Sequence, residues 1–158
     1  MKKILLVLIL VALLSATAGA VEFGAGVKTG AAYQVLYGAM FFVGGSVEVL
    51  FPLANAGELG AELDFLWFAP FSNISNDYFI LPILLKSRIP AKFGYFTFGV
   101  GPEVIVGAST SVAFHILAGF AFNAGPGYFI FEFRGSTDFD SWTWRDYIGG
   151  ILGYTFAF

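Results

Sequence analysis

From residue 21 onward the chain alternates. Val21, Phe23, Ala25 and Val27 are interleaved with Glu22, Gly24, Gly26 and Lys28, so apolar side chains recur at every second position from Val21 to Thr29. A period of two belongs to a strand with one apolar and one polar face. The same alternation returns in Met40 to Phe51, Gly57 to Phe68, Asp77 to Ile89, Gly94 to Gly107, Ser111 to Phe122, Gly127 to Phe139 and Tyr147 to Phe158. Each segment is about ten residues long, the length of a tilted strand that crosses a bilayer. Pro52 to Ala56, Pro90 to Phe93 and Asn123 to Pro126 are short connections rich in Pro, Gly or Asn, as tight turns are. They alternate with Gly30 to Ala39, Ala69 to Asn76, Ala108 to Thr110 and Asp140 to Asp146, two of which are long. The pattern predicts an all-β fold, an eight-stranded antiparallel up-and-down barrel, with the short turns gathered at one end.

Charge placement predicts which face points out. With Asp77 set aside at a strand mouth, four segments carry more than one charge, and within each of them all the charges share one parity, an outcome of about one in sixty if charges ignored the two faces of a strand. That parity is opposite to the Phe, Leu and Val face. A lipid-facing charge at mid-membrane costs about 2 to 4 kcal/mol, whereas an inward one can be paired. The apolar face is therefore expected to point into lipid, making the barrel transmembrane. A soluble, lipocalin-like barrel would reverse the polarity.

Composition strengthens this reading. The chain is 58% hydrophobic and 12% charged, with twenty Phe and twenty Gly, too few charges to clothe a surface that faces water everywhere. Lys2 and Lys3 precede an apolar run, Ile4 to Leu14, and then Ala18-Gly19-Ala20, the order of a secretory signal. Residues 1–20 are expected to be a cleavable signal peptide and 21–158 the barrel. Removing them leaves six basic and eleven acidic residues, a formal charge of −5. That balance argues against nucleic acid as a partner. With no cysteine, neither a disulfide framework nor a thiolate metal site can form.

The closing segment, YIGGILGYTFAF, places Ile148, Leu152, Tyr154, Phe156 and Phe158 on its large face. It resembles the last strand of bacterial outer-membrane barrels, and that resemblance implies that Tyr154, Phe156 and Phe158 are an assembly signal read by the barrel-assembly machinery. From the third segment onward the chain is similar to the outer-membrane β-barrel domain family that includes the PorT-type proteins. The likeness rests on Gly60-Ala-Glu62-Leu-Asp64-Phe65, Asp77-Tyr78-Phe-Ile80-Leu-Pro82-Ile-Leu-Leu85-Lys86, Tyr95-Phe-Thr-Phe-Gly99-Val-Gly101-Pro102 and Leu152-Gly153-Tyr154-Thr-Phe156. It implies a barrel in the outer membrane of a Gram-negative envelope, in a family most of whose members have no assigned biochemical activity. Pro82 and Pro102, inside strands that closure makes central, lead to the expectation of a bulge or a locally opened ladder.

The candidate chemistry is inward. An eight-stranded barrel is only wide enough for its own side chains. Glu22, Glu48, Glu58, Glu62, Asp64, Glu103 and Glu132 share the inward parity with Lys28, Lys86, Arg88 and Arg134, and buried charges must be paired. They are read as an ion-pair plug, with inward glycines leaving room for the long stems. His115 is the only histidine. Pairing around Ser109 sets Glu103 opposite His115 and brings Glu132 or Arg134 to a similar height, predicting a cluster of Glu103, His115, Glu132 and Arg134. A structural network is the first reading of that cluster. A lone histidine is a poor metal site, and no metal or other cofactor is expected. Trp67, Phe71, Trp142, Trp144 and Tyr147 gather near the long-loop end as a candidate aromatic girdle.

The sequence thus predicts a non-enzymatic, porin-like outer-membrane protein, structural or interacting through the loops at Tyr33 to Tyr37 and Asp140 to Arg145. Its partners would be the outer-membrane bilayer, the assembly machinery and an unknown protein. A narrow conduit or small-ligand barrel is the alternative, and a lipid-modifying enzyme a third.

Overall fold

The computed structural model describes residues 21–34, 38–53, 56–71, 77–107, 110–138 and 147–158. The strands are β1 (Glu22–Gln34), β2 (Gly38–Pro52), β3 (Glu58–Pro70), β4 (Tyr78–Ala91), β5 (Gly94–Val106), β6 (Thr110–Ala124), β7 (Gly127–Asp138) and β8 (Ile148–Ala157). Each pairs antiparallel with the next and β8 pairs with β1, so the sheet closes on itself. The expected leader at 1–20, the loop residues from Asp140 to Asp146 with Trp142 and Trp144, Tyr37, and the turn residue Ser109 lie outside the described residues.

Expected connections give up one or two residues to the strands at Ala69 and Pro70, at Pro90 and Ala91, at Thr110, and at Asn123 and Ala124, and the first long connection gives up more. Gly30 to Gln34 and Gly38 to Ala39 were expected in a long connection, but they are paired strand, from Gly30↔Phe42 to Gln34↔Gly38. Gly30, Ala31 and Ala32 are too small to mark an apolar alternation, while the backbone ladder continues regardless of side-chain size. At the opposite end the chain reverses through glycines that need a positive φ, Gly57 at +111° and Gly125 at +61°.

The stagger of the barrel can be read from the ladders. Stepping across them from Phe23 leads through Val49, Ala61, Leu85, Val100, Ile116, Gly135 and Ile148, and returns to β1 at Tyr33, ten residues further along. With ~3.3 Å per residue and ~4.8 Å between strands, that offset over eight strands tilts them by roughly 40° from the barrel axis.

Both prolines leave their mark as an opened ladder and not as a bulge. Rungs are missing between Leu63↔Ile83 and Leu66↔Ile80 on one side of β4, and between Pro82↔Glu103 and Leu85↔Val100 on the other. The register is the same before and after each gap, so no residue is inserted. Proline has no N–H to give the ladder, and Leu81 to Leu84 of β4 are consequently the least tethered stretch of the wall.

Side chains alternate as the sequence predicts. Phe129, Phe131 and Phe133 are 56%, 40% and 61% exposed on the outside, while Glu132 and Arg134 between them are 0% and 2% exposed. Among the described side chains no charged residue occupies an outward strand position; Asp77 and Lys92 lie beyond the strand ends or in a turn. The core is the lumen itself.

Candidate functional site

The inward face holds three layers. At the short-turn end, Arg88 of β4 donates to Glu22 (2.7 Å), Glu48 (2.5 Å) and Glu58 (3.2 Å). Its guanidinium lies 4.0 Å from the ring centroid of Tyr128 and 5.7 Å from that of Tyr95, a cation–π stack that fills the mouth. Tyr128 also donates its hydroxyl to Glu48.

The middle layer is a closed ionic network. Lys28 donates to Glu62 (2.7 Å) and Asp64 (2.9 Å). Lys86 bridges Glu48 (3.1 Å) and Glu62 and lies 3.5 Å from Glu132. Arg134 spans Glu62 (2.7 Å), Glu132 (2.6 Å) and Asp64. Lys28, Lys86, Arg88 and Arg134 meet Glu48, Glu62, Asp64 and Glu132, four cations against four anions, all buried. A buried charge without a partner would be prohibitive, and this set leaves none alone. Half-exposed Glu22 and Glu58 add negative charge only at the mouth.

Glycines make the network sterically possible. Lys28 faces Gly44 and Gly153 across its two ladders, Lys86 faces Gly60 and Gly99, Glu48 faces Gly24, Glu132 faces Gly119 and Arg134 faces Gly149. A Cβ on Gly24 would stand 2.6 Å from Glu48 Oε1, and one on Gly119 would stand 2.8 Å from Glu132 Cγ. The long stems lie over their glycine neighbours, as the inward glycines suggested.

The predicted four-residue cluster divides. The ladder places Gly101, not Glu103, opposite His115, and Glu103 faces Ala113. The offset is two residues, so parity is kept and the side chains still meet, with Glu103 Oε2 2.6 Å from His115 Nδ1. Glu132 and Arg134 belong instead to the ionic layer. The partners that sequence reasoning missed are Ser136, which donates to Glu103, and Tyr147, whose hydroxyl lies 3.0 Å from His115 Nδ1 and 3.5 Å from Glu103 Oε2. Ser136 was detectable by its inward parity with Arg134; Tyr147 precedes its strand, where parity gives no guidance. Burial, with Glu103 adding to it, holds the Tyr147 phenol well above the ordinary tyrosine range, so its hydroxyl stays a donor. His115 Nε2, which a nucleophile would have to face, has no hydrogen-bond partner among the described residues.

The third layer closes the long-loop end. Phe42 and Phe68 stack at 4.8 Å, and Phe68 contacts Tyr78 (5.5 Å) and Tyr147 (5.0 Å). Tyr78 donates to Gln34 (3.1 Å). Tyr147 is thus an interior residue, not part of an outer girdle. Outside, Trp67 packs against Phe41 (5.4 Å), Phe41 against Phe71 (5.6 Å), and the Trp67 indole donates to Asp77 (2.8 Å). A further aromatic run, Phe96, Phe120 and Phe122 with Phe129, Tyr154 and Phe156, lies toward the short turns. Tyr154 is half-buried and donates to the carbonyl of Ala124 (2.7 Å), while Phe156 and Phe158 remain exposed.

Fold and interior together define a class: a closed eight-stranded antiparallel barrel, ionic within and apolar without. Compared with protein-family models and with curated proteins, the chain matches none.

Proposed function

We propose that the chain is a non-enzymatic integral protein of the bacterial outer membrane, exported by its first twenty residues, structural or acting through its loops, with its lumen plugged by ion pairs. The observation that carries this reading is the sidedness: every described outward strand position is uncharged, and the buried charges are gathered inside. Strands of 10 to 15 residues at a tilt of roughly 40° stand about 25 to 38 Å tall, enough for the apolar band of about 25 Å that such barrels carry. The likeness to the PorT-type barrel family, and the role of Tyr154, Phe156 and Phe158 as an assembly signal, belong to the same proposal. A plugged lumen leaves the loops as the contact surface for a protein partner.

The test has two arms. Cell envelopes containing the full chain are washed with alkaline carbonate, and the purified protein is placed in planar bilayers. The expected result is retention in the membrane pellet and no steady channel openings. Release by the wash would remove the membrane reading, and sustained conductance would replace the plug with a conduit.

A further inference from the structure

Among the described residues four buried side-chain atoms lack a hydrogen-bond partner: Arg88 Nε, Thr97 Oγ1, His115 Nε2 and Glu132 Oε1. Three of them belong to one cross-strand row. Arg88 pairs with Thr97, Thr97 with Gly119, and Gly119 with Glu132, so the row runs over β4, β5, β6 and β7 with all four positions facing inward. The residues bearing these atoms are 1% (Arg88), 0% (Thr97) and 0% (Glu132) exposed. Glu132 Oε1 is brought back toward β4, because it lies 3.5 Å from Lys86 Nζ, two residues from Arg88. The Glu132 stem lies over Gly119, where an added Cβ would stand 2.8 Å from Glu132 Cγ, and so carries the carboxylate inward from β7.

The three atoms are chemically complementary to one kind of guest. Arg88 Nε–H can only donate, an ionised Glu132 oxygen can only accept, and the Thr97 hydroxyl does either. A water molecule accepts from the first, donates to the second and exchanges a bond with the third. That is the three-bond pattern of buried water, which occupies sites where polar groups would otherwise be stranded. A stranded hydroxyl in the interior is costly, and three stranded groups in one row would be costlier still. We infer that the barrel holds a structural water site over Gly119, bound by Arg88 Nε, Thr97 Oγ1 and Glu132 Oε1, linking the Arg88 mouth to the ionic middle layer. The site follows from the closed barrel alone and does not depend on where the barrel resides.

The sign of one substitution decides the matter. If Thr97 Oγ1 bonds a water, Thr97→Val removes that bond and the folding equilibrium of the purified chain weakens, by roughly tenfold for one hydrogen bond. If the hydroxyl is stranded, the same change relieves a desolvated group and the equilibrium stays level or strengthens. Unfolding by urea in detergent micelles measures this, with Thr97→Ser as the control expected to keep wild-type stability. NMR transfer from long-lived water to the Thr97 methyl group in the wild-type protein supplies the direct readout, and it alone decides if T97V does not fold. A water signal at Thr97 with a weakened T97V supports the site; no water signal, or a T97V as stable as wild type, overturns it.

Discussion

Glu62 is the residue on which most of the interior converges, since it accepts from Lys28, Lys86 and Arg134 on three other strands. Replacing it by Gln keeps the volume but leaves three buried cations one charge short. Breaking a buried ion pair from one side costs about 3 to 5 kcal/mol, so Glu62→Gln should lower unfolding stability by that amount in urea titrations. Glu58, at the mouth and partly solvated, shares Arg88 with two other carboxylates; Glu58→Gln should cost less than about 1 kcal/mol. Equal effects from the two substitutions would mean that the middle layer is not dry. Tyr147→Phe removes a donor near His115 and Glu103 while keeping the ring packed on Phe68. About 1 kcal/mol is expected from that single hydrogen bond in the same titration. That Glu62, Asp64, Lys86, Arg88, Glu103, His115, Glu132 and Arg134 point inward was legible in the sequence, because parity is a property of each strand by itself. Which of them touch was not. Arg134 meets Asp64 and Glu62 across the lumen, and that contact depends on the stagger summed over eight ladders, a quantity no single segment encodes.

At the scale of the strand, registers were harder to read than faces for a related reason. The pairing of β5 with β6 turns on the length of a connection through 108–109, and small residues there satisfy several loop geometries. An even-numbered error preserves parity, so Glu103 still found His115 diagonally although Gly101 is the residue across the ladder. The prolines were a sharper signal. They foretold a defect, and the ladders place it on β4, where rungs are lost toward β3 at Leu81 and Pro82 and toward β5 at Ile83 and Leu84. Each gap removes one bond, the N–H that a proline cannot give, and the amides flanking it exchange through small local openings more readily than those of the intact ladder. Hydrogen exchange of the folded protein should therefore show Leu81, Ile83 and Leu84 exchanging fastest among the central residues of β4, ahead of Leu85 to Ile89. Uniform protection along the strand would mean that the gap is closed by hydrogen bonds the ladder does not show.

For the whole molecule the question is what the outer wall faces, and the interior cannot answer it. A buried ionic network is compatible with water or lipid outside, since either way those charges are paired. The wall answers through its tolerance of charge. Leu152 lies midway along β8, is 58% exposed and neighbours Phe131 and Thr29 across its ladders. In water, an exposed Leu→Arg change away from special features shifts stability by no more than about 0.5 kcal/mol. In a bilayer the same arginine sits near the midplane and costs about 2 to 4 kcal/mol. Leu152→Arg should thus destabilise the protein folded into lipid vesicles by that larger amount, with the penalty fading for an arginine placed at Phe23 near the short-turn rim. A depth-dependent profile follows only if the apolar face is solvated by acyl chains. A flat profile near zero would leave a barrel with a greasy exterior in water, where the twenty-eight large exposed hydrophobic side chains among the described residues would have to be covered by protein.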